Sequence, residues 1–449
     1  MRISTNQMYD AGVRSIERNQ DLLTTLQNQI SSNRRMLSAA DDPVAAARSL
    51  TITQTKAVGN QYAKNQGNAS DRLSLIDSQL TSLTESLRSV RDRVVQAGNT
   101  ILQDSDRQAI ATELAARFEE VLGIANGRDA GGDDLFSGYQ GATSPFARSA
   151  AVPPATTSSV SYSGDDGQRL LQVSSSQQMA INVAGSDLFM NIRDGNGSFA
   201  TSAAGNGSGS PNQGSGVIDA GSVLDPQKWQ SAVNAFPWQG TSNLGLQIQF
   251  SSVAGVSSYQ LFDVSSPPPP SAALPALAVS AVLPFTPGQA ISLLTTTQPP
   301  AAPVTTDFGA QVVITGSPAA GDSFTVKPSA NKSVFETMQG LIDLLRSPLG
   351  SGTSTTDFSS QLQGHLGNLD QALANVSRVQ STVGARLNEL DSLSSTSSSL
   401  DVQYQQSLSN IQDLDIVQAL SDFTRQQVTL EAAQKSFVQV TGLSLFKYL

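Results

Sequence analysis

The sequence predicts an α+β fold, in which long terminal α-helices form a coiled-coil or helical-bundle core and a β-rich outer region is inserted between them. Proline is absent from residues 44–144 and 349–449, and because proline interrupts helices, both stretches can be continuous helix. Apolar residues recur every seven positions in both terminal parts, while the span 145–328 holds eighteen of the twenty prolines. We therefore expect three regions: an N-terminal helical half of the core over 1–144, a Gly/Ser/Pro-rich β region of one or two subdomains over 145–330, and a C-terminal helical half over 331–449.

The first helix is predicted over residues 5–37. Its apolar positions are spaced like those of a coiled coil, with two asparagines on the second of the two interleaved tracks. Such a single apolar stripe needs another helix to cover it. The two tracks are Ile16, Leu23, Ile30 and Leu37, and Asn19, Leu26 and Asn33.

Two later helix starts are marked by aspartates. Asp41 and Asp42 precede Pro43, so we expect an N-cap followed by proline at the first helical position. Asp104 and Asp106 similarly predict a third helix that ends near residue 127. The second helix carries a continuous seam, made of Leu73, Leu80, Leu87, Val94 and Ile101 together with Ile76, Leu83, Val90 and Ala97.

The middle of the chain reads as short strands. Apolar residues alternate with polar ones in 170–173, 179–183, 244–250 and 310–314. Residues 195–216 and 265–303 are rich in Gly, Ser, Asn or Pro and are predicted to be loop-like.

Helices return after the insert. Ser333 is placed to cap a short amphipathic helix, and a long helix follows whose apolar tracks are expected to pack on the Leu73–Ile101 seam. A last helix is expected after the serine-rich stretch 392–399, with Asp413 and Asp415 near its start, where they favour the positive end of the helix dipole. The tracks of the long helix are Leu362, Leu369, Val376, Val383 and Leu390, and Leu366, Leu373 and Leu387; those of the last helix are Ile416, Phe423, Leu430 and Phe437, with Leu420 on the second track.

Composition excludes several classes of function. The chain has a net charge of -10 and no strongly basic segment, so a nucleic-acid partner is not expected. No cysteine is present, no apolar run reaches the ~18 residues of a membrane span, and Met1–Asp10 lacks the pattern of a cleaved signal peptide. His365 is the only histidine and has no nucleophile or metal-spaced carboxylates beside it in the sequence, so neither an enzyme nor a metal or cofactor site is expected.

Short motifs at both ends resemble the flagellin family. At the N-terminal end these are residues 1–5, the Ala39–Pro43 junction, and Ala125-Asn126 followed by Leu135-Phe136-Ser137-Gly138-Tyr139. Toward the C-terminus they are Gly316-Ser317-Pro318 with Gly321-Asp322-Ser323-Phe324, then Val383–Asn388, and the terminal Leu443–Leu449. The resemblance covers about residues 1–145 and 320–449, and the enlarged Pro-rich middle departs from the family pattern.

The resemblance implies a structural protein of the bacterial flagellum, of the branch that joins the hook to the filament. Expected partners are further copies of the chain in a ring or tube, the first hook-associated protein, flagellin, and a cytoplasmic export chaperone. The family leaves the cell by type III export without a cleaved signal peptide, so an extracellular location on the flagellum is expected. Flagellin itself, or a secreted coiled-coil translocator, remains as the alternative.

The terminal seams are the candidate assembly interface, although the same pattern could simply close a monomeric bundle. Amide side chains on a seam lower the stability of a helical pair but fix the register in which the two helices align. A helix of some thirty residues with one apolar stripe also gains most of its stability from a partner that covers the stripe. The candidate interface residues are Ile16, Leu23, Leu26, Ile30, Leu37, Ile416, Leu420, Phe423, Leu430 and Phe437.

Overall fold

The computed structural model divides the chain into two compact units. The terminal unit comprises Met1–Asn68, Gln172–Gln178 and Glu389–Leu449, and the central unit comprises Ala69–Leu171 and Met179–Asn388. The structure describes residues 5–99, 102–149, 159–205, 211–235, 245–253, 256–264, 277–296, 305–349 and 355–442. Ile101 and the motif Leu443–Leu449 therefore lie outside the described residues.

The described residues hold seven α-helices and one π-helical turn, and the expected α+β class is confirmed. The helices are α1 (Thr5–Ser32), α2 (Pro43–Ala97), α3 (Asp104–Ala125), α4 (Pro226–Ala235), α5 (Val334–Arg346), α6 (Thr355–Gln412) and α7 (Ile416–Gly442), with the π turn at Ser186–Met190.

Helix α1 ends at Ser32, so the prediction that it runs to residue 37 was wrong. Asn33 adopts a left-handed conformation with φ 53°, which breaks the helical repeat. Its amide donates to the carbonyl of Ile30 at 3.4 Å, and the amide of Arg34 donates to that of Gln29 at 3.2 Å. This pair of bonds is a Schellman C-cap, so Asn33 stops the helix and does not lie on a seam.

The predicted starts of α2 and α7 are confirmed by their capping bonds. Asp42 precedes Pro43 and accepts a hydrogen bond from the amide of Ala45 at 3.0 Å. Asp415 accepts from the amides of Val417 and Gln418, both at 3.1 Å. Each aspartate thus satisfies amides that a helix N-terminus leaves without partners, and favours the positive end of the helix dipole.

The serine-rich stretch 392–399 lies inside α6, which contradicts the expected break there. The helix runs through all eight positions and ends only at Gln412. Serine and threonine hydroxyls along it donate to carbonyls one turn back, as Thr396 does to Ser392 at 2.9 Å. The polar groups are therefore satisfied within the helix, and the break falls at residues 413–415.

In the central unit, α2 and α6 pack against each other as predicted, and their orientation is antiparallel. Arg91 pairs with Asp370 at 2.6 Å, and the amide of Gln380 donates to Thr81 at 3.2 Å. All eight described residues of the Leu73–Ala97 seam are at most 1% exposed, and Leu362, Leu369, Val376 and Val383 are also buried. The second buried track of α6 is Ala372 and Val379, whereas Leu366, Leu373 and Leu387 are only half-buried.

Helices α3 and α5 close the central unit around an aromatic cluster. Helix α5 begins with the predicted cap: Ser333 accepts from the amide of Glu336 at 2.9 Å, and the Glu336 carboxylate accepts from the amide of Ser333 at 3.1 Å. The rings of the cluster are all nearly or fully buried, with centroids 5.1–5.8 Å apart. They belong to Phe118, Phe136, Phe146, Phe189 and Phe335.

Within the described residues, the insert and its C-terminal border contain short strands arranged in five sheets. The strands are β1 (Phe146–Arg148), β2 (Val160–Tyr162), β3 (Leu170–Gln172), β4 (Gln178–Ala180), β5 (Ile192–Arg193), β6 (Phe199–Ala203), β7 (Val217–Ile218), β8 (Ser222–Val223), β9 (Leu246–Val253), β10 (Val256–Asp263), β11 (Leu277–Ala278), β12 (Leu283–Pro284), β13 (Ala290–Thr296), β14 (Thr305–Thr315), β15 (Ser323–Pro328) and β16 (Asn331–Lys332).

The largest sheet has the order β11-β10-β9-β15-β6, with β12 also on β10, and a second sheet has the order β13-β14-β7, with β8 also on β14. Their inward side chains and Trp229 of α4 form one apolar core. The loop-like segments 195–216 and 265–303 thus contain β6 and β11–β13, contrary to expectation. In β13 the alternation was present in the sequence, because Ile291, Leu293 and Thr295 are buried between exposed neighbours.

Two of the family-like motifs have a structural explanation in the insert and its border. Asp322 is fully buried and accepts from the amides of Gln213, Gly214 and Ala319 at 2.7–2.8 Å, which ties two loops together. Gly138 has φ +73°, and a Cβ there would collide with Asp165. Both motifs therefore stabilise turns.

Candidate functional site: the pair of terminal helices

Helices α1 and α7 pack against each other in antiparallel orientation within the terminal unit. Asn19 of α1 accepts a hydrogen bond from the side-chain amide of Gln426 at 2.9 Å. Near the other end, the rings of Tyr9 and Phe437 lie with centroids 5.1 Å apart. The amide of Asn19 therefore does lie on the seam, where it bonds across the pair to Gln426.

The helices approach closely at Gly12. A Cβ at this position would lie 2.7 Å from Cδ2 of Phe437, so a larger residue would push the ring away. Glycine at this position lets the two backbones come together while the phenyl ring fills the space between them.

Seven of the ten candidate residues face inward in this pair and are half-buried. They are Ile16, Leu23, Leu26 and Ile30 on α1 and Phe423, Leu430 and Phe437 on α7. The second inward track of α7 consists of Ala419, Gln426 and Ala433, spaced by seven residues. Sequence reasoning missed this track because two alanines and a glutamine do not stand out as apolar, although their spacing repeats that of the phenylalanines and leucine.

The remaining three candidates are exposed in the single chain. Leu37 is 42% exposed and follows the end of α1, while Ile416 and Leu420 on α7 are 53% and 55% exposed. Sequence reasoning paired Leu37 and Ile416 with residues of the opposite helix, but the inward face of α7 lies on the Phe423 side. These three side chains are therefore free to meet something other than α1 or α7.

More large apolar side chains lie on the outward faces of the pair. Val417 is 82% exposed, Val428 is 62% exposed and Leu22 is 54% exposed. Single exposed apolar residues are common in soluble proteins, whereas several on the outward faces of one helical pair are a feature typical of interaction surfaces.

The base of the pair is held by Arg35. Its guanidinium donates from Nε and Nη2 to the carbonyl of Ile411 at 3.2 and 3.0 Å, and its backbone amide donates to Gln412 at 2.8 Å. Asp41 accepts from the amides of Leu37 and Ser38, both at 2.8 Å, and these bonds lower the pKa of its carboxyl below the usual value. The connection between α1 and α2 is thus hydrogen-bonded to the C-terminal end of α6 and within itself.

Other classes of site find little support in the described part of the chain. No cluster of His, Asp or Glu there could hold a metal ion. No helix there combines the length and apolarity that crossing a bilayer requires. His365 lies on α6 as expected, against Gly340 of α5, and burial lowers its pKa to about 4.

Comparison with known proteins identifies the family. The bacterial flagellin N-terminal helical region matches residues 3–141, and the bacterial flagellin C-terminal helical region matches residues 366–449. The chain belongs to the flagellin family. It is 24% identical to flagellar hook-associated protein 3 of Escherichia coli, across all of this chain and 99% of that protein.

Two further relatives support the same branch of the family. Flagellar hook-associated protein 3 of Salmonella typhimurium is 31% identical over 43% of this chain and 58% of its own length. The crystal structure of the flagellar junction protein FlgL from Legionella pneumophila covers 82% of this chain and all of that chain, with 27% identity and a TM-score of 0.63. The chain is therefore a homologue of hook-associated protein 3, a structural component of the flagellum.

The alternative assignment to flagellin itself is not favoured. Matches to proteins named flagellin cover only 24–28% of this chain. Their coverage contrasts with the full-length match to hook-associated protein 3. None of the relatives reported above is a translocator, so these comparisons do not support that alternative.

Proposed function

We propose that this chain is the subunit that joins hook and filament, and that copies of it polymerise through the outward faces of α1 and α7. The observation that carries the proposal is the row of exposed apolar side chains on a helical pair that is only half-buried along its own seam. The full-length similarity to hook-associated protein 3 supports this position in the flagellum.

The energetics favour folding and assembly together. A pair of helices of 28 and 27 residues gains most of its stability from packing, and here each helix covers only one stripe of the other. Burying an exposed valine or leucine completely contributes about 1.5–3 kcal/mol before the entropy of ordering is subtracted. Contacts with neighbouring copies at Val417, Leu420 and Val428 would therefore stabilise the helices and the polymer at once.

The proposal extends to partners and location. Beyond its own copies, the subunit would contact the first hook-associated protein on one side and flagellin on the other. A cytoplasmic export chaperone would cover the apolar terminal helices before assembly, and type III export without a cleaved signal peptide would deliver the chain to the outside of the cell. In this role the chain acts as a mechanical adaptor with no catalytic step and no cofactor.

A pair of double variants tests the assembly surface. Val417→Ser with Val428→Ser replaces outward residues of α7, and we expect loss of polymerisation while the circular dichroism of the monomer stays unchanged. The matched control is Val256→Ser with Val282→Ser, two valines of the insert that are 54% and 49% exposed. Polymerisation by the α7 variant at the same protein concentration as the wild type would contradict the proposal.

The junction role is tested in cells. Deleting the gene should leave hooks without filaments and flagellin in the medium, and the wild-type gene should restore filaments. Filaments still attached to hooks in the deletion strain would overturn the junction assignment, even if the purified chain polymerises.

A further inference from the structure

A large open groove lies in the terminal unit. One wall is α2 over residues 55–63, the other is α6 over residues 393–404, and the turn at 173–175 closes one side. Its volume is about 600 Å³, within the range of about 300–1,000 Å³ that is typical of binding pockets for small molecules. We refer to it below as the terminal groove.

The lining of the terminal groove is mostly apolar. Val58, Leu400 and Val402 are 50%, 41% and 66% exposed, and the half-buried rings of Tyr62 and Tyr404 lie beside them. Apolar side chains gathered in a concave surface favour an occupant that brings apolar side chains of its own.

The groove is also electrically neutral, which limits the kinds of occupant that it favours. Its lysine, Lys56, pairs with Asp401 at 3.5 Å across the two helices, and both side chains are partly buried. With these charges cancelled, nothing in the lining favours an anionic or cationic ligand. An uncharged apolar segment fits better.

The chain itself presents such a segment. Ile416, Val417 and Leu420 project from the first turns of α7 and are 53%, 82% and 55% exposed. Because they are exposed in the single chain, they do not fill the groove of their own copy.

We infer that the terminal groove of one copy receives the start of α7 from a second copy. The inference rests on the proposed polymerisation and specifies one of its contacts. The groove would bury Ile416, Val417 and Leu420 of the neighbour, and the apolar patches on both surfaces would be covered in a single step.

Gly59 allows the groove to be filled without disturbing the fold. A Cβ at Gly59 would have no atom within 4 Å apart from its own helix and chain neighbours, and the same holds for Gly67, two turns further along α2 and outside the groove lining. Both glycines lie in a helix, where a larger residue improves helix propensity. Gly59→Phe and Gly67→Phe therefore form a matched pair.

We expect Gly59→Phe to raise the critical concentration for polymerisation of the full chain by on the order of tenfold or more, with thermal stability of the monomer kept or raised. Gly67→Phe should assemble like the wild type. If both variants assemble equally well, the groove is not a contact between copies. If the wild type itself does not polymerise, the proposed function fails, which is a different result.

Cross-linking tests the identity of the occupant in a chain that has no cysteine of its own. Val58→Cys and Val417→Cys copies, mixed, assembled and oxidised, should give a disulfide-linked dimer. The control mixes Val58→Cys with Val428→Cys, which lies about 16 Å further along α7. Equal yields from both mixtures, or none from the first in an otherwise normal polymer, would overturn the inference, as would a groove filled by a small molecule in the polymer.

Discussion

Protonation of His365 should destabilise the chain in mild acid. The imidazole projects from α6 and packs against Gly340 of α5, where it is largely buried. Its Nδ1 has no hydrogen-bond partner among the described residues. Burial, with a smaller contribution from the positive charge of Lys332 on β16, lowers its pKa from the usual 6.5 to about 4.

The size and sign of the effect follow from these two pKa values. The two pKa values differ by about 2.5, and a difference of one corresponds to about 1.4 kcal/mol, so the full contribution is about 3–4 kcal/mol. The unfolded chain binds the proton first, at pH 6.5, and the folded chain only near pH 4. Stability from this group is therefore complete above pH 6.5 and is lost as the pH falls toward 4.

Urea unfolding of wild type and His365→Gln at pH 7.5 and pH 4.5 measures this contribution. The wild type should lose about 2–3 kcal/mol more than the variant between the two pH values, because titration of the carboxylates is common to both. Proton NMR of the chain's only histidine gives the pKa directly. A value at or above 6.5, or equal losses for both proteins, would refute the reasoning.

Three substitutions test the turns and caps. Asp322→Asn should lower the free energy of unfolding by about 2–3 kcal/mol in urea titrations, since the carboxylate accepts hydrogen bonds from three backbone amides and the carboxamide would turn an NH2 donor toward at least one of them. Ser333→Ala should cost about 1 kcal/mol by the same assay, because it removes the capping bond to Glu336, and Ser333→Asp should restore most of the loss. Gly138→Ala should cost about 1–3 kcal/mol or more through its positive φ and its collision with Asp165, and an unchanged thermal midpoint would contradict the observed turn.

The helical parts of the fold could be predicted from the sequence because heptad spacing and caps are local signals. The Leu73–Ala97 seam, the aspartate caps at Asp42 and Asp415 and the Ser333 capping box were all visible as patterns of neighbouring residues. The pairing of α1 with α7 also followed, since each carries one apolar stripe that needs cover.

The errors arose where the deciding interaction is not apolar periodicity. Asn33 ends α1 in a left-handed conformation, which asparagine adopts more readily than most residues. Its position on the heptad track was therefore misleading. The serines at 392–399 remain helical because their hydroxyls bond to carbonyls of the same helix. Strand β13 lies in a proline-rich part of the sequence, and we therefore predicted a loop there. Its alternation of buried and exposed residues becomes clear once it pairs with β14.

Thiol labelling of an assembled polymer tests most directly whether the outward face of α7 is the assembly surface. Val428→Cys, exposed in the single chain, should react with a maleimide as a monomer and become protected in the polymer, whereas Leu224→Cys, 66% exposed in the insert, should react in both states. If Val428→Cys reacts at the same rate in the polymer as in the monomer, this face of the terminal helices is not what holds the copies together.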